Sequence, residues 1–452
     1  MTGILHTNTI YMIGIGGIGM SALARYFLSL GKGVSGYDRS PTPLTAALER
    51  EGISVHYHDD PSFVPSGAGL VIYTPAIPSD NKELIYCREH GFTLMKRAEI
   101  LGEIAAGYKT IAVAGTHGKT SISSMITHIM HHGNVAVTAF LGGIMQDYDT
   151  NFIGTAGSRY LIAEADEYDR SFLKLQPSIA VISSMAADHL DIYGSVEEMT
   201  RSFREFTKKI RPGGTLIVHE SIAGRIPLPK GTVIYGESKA ASLRISGSGI
   251  EDHHYRFTLE GEYGRIGIRM KVPGRHNIEN AAAAAAACMK AGMEPESVKA
   301  GLETYPGVKR RFEFILETDN AIFIDDYAHH PDEIRACINT ARELFPGKKI
   351  TGVFQPHLYS RTRDLATGFA GSLALLDELI LLNIYPAREK PIEGIDADML
   401  LRITELEEKS LVPKEELVTT ILQKRPEVLI TMGAGDIDQL VKPIKTALLS
   451  IK

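Results

Sequence analysis

The stretch Thr110-Ile111-Ala112-Val113-Ala114-Gly115-Thr116-His117-Gly118-Lys119-Thr120-Ser121 decides the fold. Thr110–Ala114 is apolar or β-branched and reads as a buried strand. Gly115 and Gly118 then make a turn, and Ser121–His131 reads as a helix. A glycine turn between a strand and a helix is the form of a phosphate loop. Its backbone N–H groups and the helix N-terminus favour negative charge, Lys119 reaches the β- and γ-phosphates, and the Thr120 hydroxyl suits Mg²⁺. The loop is shorter than G-x-x-x-x-G-K-T, because Val113 stands where the first glycine falls. Gly115, Thr116, His117, Gly118, Lys119, Thr120 and Ser121 are the candidate nucleotide contacts.

Toward the N-terminus the same order recurs. Strand Thr9–Ile13 leads into Gly14-Ile15-Gly16-Gly17-Ile18-Gly19, followed by helix Ser21–Leu30 and strand Gly33–Tyr37, with Asp38 at its end. This fits G-x-G-x-x-G: the glycines let the backbone approach a diphosphate, and Asp38 suits a ribose hydroxyl. The pattern alone leaves NAD and a UDP-sugar open. Strands Leu70–Tyr73 and Thr93–Leu94 and helix Lys96–Ala106 complete a unit that ends at Gly107.

Downstream, strands Arg159–Ala163 and Ile179–Ile182 extend the central sheet. Glu164-Ala165-Asp166-Glu167-Tyr168-Asp169 follows the first of them. A carboxylate there suits a Mg²⁺ ligand beside a phosphate loop, although a solvated acidic loop has the same composition. Asp188-His189-Leu190-Asp191 follows the second, and His189 reads as a ligand or as a structural histidine. Thr215–Val272 holds short alternating runs, such as Tyr255–Leu259 and Arg265–Val272, and reads as a small antiparallel addition. In Gly274-Arg275-His276-Asn277-Ile278-Glu279-Asn280, Asn277 and Asn280 share a helical face, suited to a nucleobase or to capping. An alanine helix follows, and Tyr305-Pro306-Gly307 is a turn and a boundary.

Beyond it, strand Ala321–Ile324, helix Pro331–Leu344, and strands Lys349–Phe354, Leu379–Ile384 and Val428–Met432 make a third α/β unit. Arg311, in Lys309-Arg310-Arg311-Phe312, suits a phosphoryl group if the run is more than a solvated surface. Asp325-Asp326-Tyr327-Ala328-His329-His330-Pro331 does not read as a zinc site, since adjacent histidines seldom share an ion and no Cys/His spacing supports one. His357 and Arg361, in Phe354–Arg363, stand at a strand end where a guanidinium fork suits a carboxylate or phosphate.

Composition agrees with three units. The chain has 452 residues, and roughly 150 per domain gives about three. Its 48 Lys+Arg against 54 Asp+Glu give a net charge of −6, without the basic surplus of a nucleic-acid binder. Cys87, Cys288 and Cys337 are scattered, which points to a reduced compartment. The longest apolar run, Ala281–Met289, is too short to span a bilayer, and the N-terminus lacks a signal-peptide pattern. The expectation is a cytoplasmic α/β enzyme.

Together, Gly14–Ser21, Gly115–Ser121, Glu164–Asp169, Asp188–Tyr193, Gly274–Asn280, Asp325–Pro331 and Phe354–Arg363 resemble the Mur ligases, the ATP-dependent amide-forming enzymes of peptidoglycan synthesis. The resemblance covers essentially the whole chain. Phe354–Arg363 is more similar to the member that adds L-alanine to UDP-N-acetylmuramate than to the recycling member that adds a tripeptide. The resemblance implies a Rossmann-like UDP-binding domain over 1–107, a central P-loop ATPase domain over 108–306 and a C-terminal Rossmann-like α/β domain over 307–452. It implies that Gly14, Gly16, Gly17, Gly19 and Asp38 hold the UDP-sugar, with no NAD. Lys119 and Thr120 would then meet ATP phosphates and Mg²⁺, Glu164 a first Mg²⁺ and His189 a second. Asn277 and Asn280 would contact the nucleotide, Arg311, Asp326 and His329 would contact ATP, and His357 and Arg361 would place L-alanine. Two departures stand out: Leu358 occupies a position where relatives often have arginine, and Ser202–Phe206 lacks the lysine that several sibling ligases carbamoylate. The implied partners are two small-molecule substrates, with no nucleic acid and no membrane, in a monomer or homodimer. Two rival classes fit less of the chain. A nicotinamide-dependent oxidoreductase leaves the phosphate loop and Glu164 idle, and a nucleotide switch has no need of His357 and Arg361.

Overall fold

Three sheets organise the chain in the computed structural model, which describes residues 7–186, 193–387 and 389–450. The first has five parallel strands in the order Ser54–His56, Gly33–Tyr37, Thr9–Ile13, Leu70–Tyr73 and Leu94–Lys96. Ile10, Tyr11, Met12 and Ile13 are all fully buried, as expected of a parallel strand covered on both faces. The chain runs outward from Thr9–Ile13 to one edge, then returns to pair Leu70–Tyr73 on its other side. That reversal creates a crevice at the C-terminal end of the central strand, where the glycine turn begins. The helix starts at Ile18, earlier than the sequence pattern suggests, and buries Met20–Phe27.

The second sheet has ten strands, with Lys109–Ala114 between Ile179–Ile182 and Tyr160–Glu164, both parallel to it. The expected antiparallel addition over Thr215–Val272 needs correction. Thr215–His219 pairs parallel with Ile179–Ile182, Val233–Gly236 pairs parallel with Thr215–His219, and Leu243–Glu251 joins Val233–Gly236 in the same sense. Helix Val196–Thr207 supplies the long crossover that parallel pairing requires. The last strands of this stretch, Leu243–Glu251, His254–Gly261 and Gly264–Met270, follow one another through two-residue links, which are hairpin links, so the antiparallel part of the stretch is confined to them. At the opposite edge, Val137–Met145 and Thr150–Gly154 form an antiparallel pair. Gly142 and Gly143 obscured this strand in the sequence.

Helix Arg275–Lys290 buries the whole of Ala281–Ala287, whose small side chains permit close packing. The third sheet runs Glu313–Glu317, Ile322–Asp326, Val428–Met432, Ile350–Phe354, Glu378–Leu381 and Lys409–Leu411, parallel except for its first strand.

Contacts divide the chain into two compact units. One runs to Gly249 and adds Arg256–Lys271 and Asn277–Pro306; the other takes Ile250–Tyr255, Val272–His276 and the chain from Gly307. The first sheet and the second, apart from the hairpin tip Ile250–Tyr255, therefore belong to one unit. Within it, buried Asn151 donates to Ile18 O at 2.6 Å and to Ser21 Oγ at 2.9 Å, and accepts from Arg25. The helix behind the glycine turn is thus fastened to the central sheet. Cys87, Cys288 and Cys337 are free and buried. Among the described residues, no helix is long and apolar enough to cross a membrane.

Helix Lys119–His132 is anchored at its far end by His128. The ring is hydrogen-bonded to the Tyr148 hydroxyl at 2.9 Å and to Thr304 Oγ1 at 3.1 Å. Burial, with His132 adding to it, lowers His128 from 6.5 to about 4. Between these values the unfolded chain binds the proton more readily, so stability rises with pH across that window. His128 therefore contributes fully above pH 6.5, and its contribution is lost as pH falls toward 4. Thermal unfolding from about pH 7 to about pH 5 is expected to show a falling midpoint, with a flatter acid limb in His128→Gln. An unchanged slope in the variant would assign the acid limb to other groups.

Candidate active site

The phosphate-loop geometry follows from one backbone choice. Gly118 adopts φ 85° and is the N-cap of helix Lys119–His132. That left-handed conformation suits glycine, and a Cβ there would stand 2.6 Å from Asn280 Oδ1. Asn280 donates in turn to Asn277 Oδ1 at 3.0 Å, with both residues buried. The asparagine pair therefore lies against the phosphate loop. On the other side, the His117 N–H donates to Ser184 Oγ at 2.8 Å, and Thr116 shares a 3.0 Å hydrogen bond with the same hydroxyl. Ser121 lies in the first turn of the helix. A helix N-terminus braced on two sides in this way is an anion site.

Lys119 Nζ donates to Gly115 O and to both Glu167 oxygens, each at 2.8 Å. Burial works to lower its pKa, but Glu167, Asp166 and Glu164 prevail and raise it, so the ammonium is charged. Glu164 lies on the opposite side of this balance. Burial raises its pKa, against the pull of Lys119, the Gly142 N–H at 2.7 Å and the Thr120 hydroxyl. A half-buried carboxylate bonded to a hydroxyl supplies hard oxygen donors, and it ionises more readily with a cation beside it. Two of the three residues named as Mg²⁺ ligands, Thr120 and Glu164, therefore stand together and fit that ion. Asp188 and His189 lie outside the described residues.

Glu164 also lines a cleft of about 340 Å³ with Gly17, Ile18, Gly19, Thr74, Arg97, Leu141, Gly142 and Asp166. The glycine turn and the acidic strand end thus share one cavity within the first unit. Gly14 bends the chain at φ 86°. Asp38 reaches the turn, where its Oδ2 accepts the Gly16 N–H at 2.8 Å. Its first role is to brace the loop, and its ability to accept from a ribose is an addition to that role. Sequence reasoning missed Arg97. It is the first residue of helix Arg97–Ala106, its guanidinium lies against Gly19, and it stands 3.9 Å from Asp166. Its place just past strand Leu94–Lys96, at the ligand-bearing edge of a parallel sheet, was the available signal.

The second unit carries another cluster. Arg311 lies over the Tyr327 ring at 5.3 Å and 3.9 Å from Glu333. The same Glu333 accepts from the His329 backbone N–H at 3.1 Å and lies 3.2 Å from its ring. Burial lowers the His329 pKa; Glu333 opposes this, while Arg361 and Arg311 add to it, so a neutral ring is favoured. Arg361 is in contact with His357 Nδ1 at 3.3 Å, and His357 stacks on Tyr385. Leu358 between them has φ 71°, an uncommon conformation for a branched residue and one that clusters at functional sites. Arg311 and His329 thus meet through Glu333, His357 and Arg361 form a second pair, and Arg361 acts on the His329 ring through its charge. Asp326 serves this cluster indirectly, since its oxygens accept from Phe312 N and Ala328 N, each at 2.7 Å. Burial raises it to about 6. Arg310 is bound to Asp325 at 2.9 Å and to Gly433 O at 2.6 Å.

Comparison with known proteins bears on all three sheets. The chain matches the Mur ligase family catalytic domain over residues 9–109, the Mur ligase middle domain over 113–288 and the Mur ligase glutamate ligase domain over 310–435. It is 50% identical over 450 residues to a UDP-N-acetylmuramate–L-alanine ligase of Cytophaga hutchinsonii, covering 97% of each chain. The corresponding protein of Parabacteroides distasonis is 46% identical over 449 residues, covering 98% of this chain and 97% of that one. The crystal structure of a UDP-N-acetylmuramate–alanine ligase from Thermotoga maritima superposes with a TM-score of 0.86 at 29% identity, covering 98% of this chain and all of that one.

The two adjacent arginines predict opposite outcomes. Asp325 is 1% exposed, so Arg310→Ala strands a buried carboxylate and is expected to destabilise the protein by about 3–5 kcal/mol. Arg311 is 34% exposed, and Arg311→Ala is expected to change stability by less than about 1 kcal/mol. Denaturant unfolding of both variants checks this, and equal losses would refute the division of roles.

Proposed function

The chain belongs to the Mur ligase family, and on that premise we propose that it joins L-alanine to the lactyl carboxylate of UDP-N-acetylmuramate, with cleavage of ATP to ADP and phosphate. The observation that carries this reading is the shared cleft. A diphosphate-type turn at Gly14–Gly19 and the acidic strand end at Glu164 line one cavity, and a separate phosphate loop at Gly115–Ser121 adjoins it through Thr120. Two loops serve two nucleotides: a UDP-sugar at the first and ATP at the second.

The chemistry needs such an arrangement. A carboxylate is a poor electrophile, and its direct condensation with an amine in water is uphill. Attack of a carboxylate oxygen on the γ-phosphorus expels ADP and gives an acyl phosphate with a good leaving group. The alanine amine then attacks the acyl carbon, the tetrahedral intermediate loses phosphate by C–O cleavage, and one proton leaves the nitrogen. Anionic groups crowd together in the first step. Lys119 and the helix N-terminus offset that repulsion, and Thr120 with Glu164 would hold a Mg²⁺ that lends further positive charge. Asn277 and Asn280 support the loop and contact the nucleotide. In the second unit, Arg311 meets a phosphoryl oxygen and His329 contacts ATP. Arg361 holds the alanine carboxylate, with His357 beside it as acceptor of the amine proton. We assign these tasks to domains over 1–107, 108–306 and 307–452, and place the reaction in the cytoplasm, where ATP and nucleotide sugars are available.

Phosphate release from ATP tests the reading. Release is expected to require UDP-N-acetylmuramate and L-alanine together, with tripeptide a poor substitute. Faster turnover with tripeptide would point to the recycling reaction, and no ADP with either acceptor would end the ligase reading. The acceptor site has its own test. Arg361→Lys keeps the charge but loses the two-pronged grip on a carboxylate. The KM for L-alanine is expected to rise by the equivalent of about 1.5–3 kcal/mol, with the KM for ATP nearly unchanged. A rise in the ATP KM alone would move Arg361 to the phosphate site.

A further inference from the structure

Glu167 has no place in the mechanism above, yet it holds the most important cation in the loop. Its side chain is fully buried, and both its oxygens accept from Lys119 Nζ at 2.8 Å. Lys119 directs its remaining N–H to Gly115 O. An ammonium has three donors, so this set occupies all of them. The carboxylate is held firmly in place. Glu167 caps the short turn Tyr168–Lys174, and its carbonyl accepts the Tyr193 hydroxyl at 2.6 Å, with Arg170 lying over the Tyr193 ring at 5.6 Å.

A nucleotide phosphate on this loop needs the same ammonium. We propose that Glu167 is a built-in competitor for Lys119: phosphate must take the ammonium from a resident carboxylate, and nucleotide affinity is held down as a result. Three observations converge on this. The Lys119 side chain is only 16% exposed, so solvent screens the exchange weakly. Asp166 and Glu164 lie close enough to act on Lys119, so an incoming phosphate meets a site that is already negative. Glu167 cannot readily withdraw, because its backbone is pinned by Tyr193. The consequence for a ligase is easier release of ADP, the product whose phosphates rest on this loop. Glu167 is in this sense a positioning residue that acts through Lys119.

The inference rests on the assignment of Gly115–Ser121 to ATP, and calorimetric titration of the full chain with ADP separates the two. Glu167→Gln keeps an oxygen for Lys119 but removes the competing charge. It is expected to bind ADP roughly tenfold more tightly, the scale of one partly screened charge interaction. Glu167→Asp draws the carboxylate back by one methylene and should fall between wild type and Glu167→Gln. With Lys119→Ala in the background, Glu167→Gln should gain nothing. A purely structural role for Glu167 would weaken ADP binding or leave it unchanged, and either result in a variant that melts like wild type overturns the proposal. If Glu167→Gln does not fold, Glu167→Asp decides, since it must bind ADP more tightly than wild type. Absence of ADP binding in wild type overturns the phosphate-loop assignment itself, and the competitor with it.

Discussion

Parallel pairing around strand Lys109–Ala114 is the constraint on which the site depends. In register, Val113 pairs with Glu164 and Ala114 with Ile182, so all three strands end at one edge. The Ala165 N–H donates to Val113 O at 2.8 Å, and the Ser183 N–H to Ala114 O at 3.1 Å. Gly115, the acidic run and the Ser183–Ser184 pair therefore start from the same line. An antiparallel neighbour would send one of them to the far side of the sheet. The loop needs a serine to receive its amides and an acid to receive a cation, and parallel register delivers both without any long-range search.

That placement creates an electrostatic problem. Glu164, Asp166 and Glu167 converge on a single ammonium. Burial would ordinarily drive such acids toward protonation. The structure meets the problem unequally. Glu167 has the ammonium in two short contacts, whereas Glu164 relies on an amide, a hydroxyl and a more distant Lys119, and its pKa is raised. The less well compensated carboxylate is the one beside Thr120 and open to the cleft, where a divalent cation completes it. Neighbouring acids of one motif thus have different tasks because of what each touches.

Much of this was legible in the sequence, since each motif follows a strand and strand ends define the ligand edge. Gly14–Gly19, Gly115–Ser121 and Glu164 could be found by reading along the chain. Arg97 could not be found in the same way, because its importance comes from lying against Gly19, far away in the chain. Asn280 was visible as a polar residue on a helix, but its seat against Gly118 is a tertiary fact. The run Glu164–Asp169 shows its charge in the sequence but not its division of labour. The strand directions within Thr215–Val272 failed for another reason: short alternating runs look alike in parallel and antiparallel sheets, and the neighbour each run pairs with decides between them. His189 falls outside the described residues, so its expected role stands on the motif alone.

The third sheet shows how adjacent residues with the same chemistry acquire opposite roles. In strand Ile322–Asp326, successive side chains face opposite ways. Asp325 turns inward, where it meets the Thr431 hydroxyl at 2.6 Å and the Arg310 guanidinium. Asp326 turns to the other face and collects the Phe312 and Ala328 amides. The loop before the neighbouring strand, Glu313–Glu317, repeats the alternation. Arg310 and Phe312 adopt φ 61° and 48°, conformations that cost energy for residues with side chains, and the two aspartates restrain them. With Arg310 tied down on one side, Arg311 is presented on the other, over Tyr327 and near His329. Asp326 thus shapes the site from behind: it sets the two loops that carry Arg311 and His329, and a substrate role for its carboxylate has to share oxygens already engaged by the backbone.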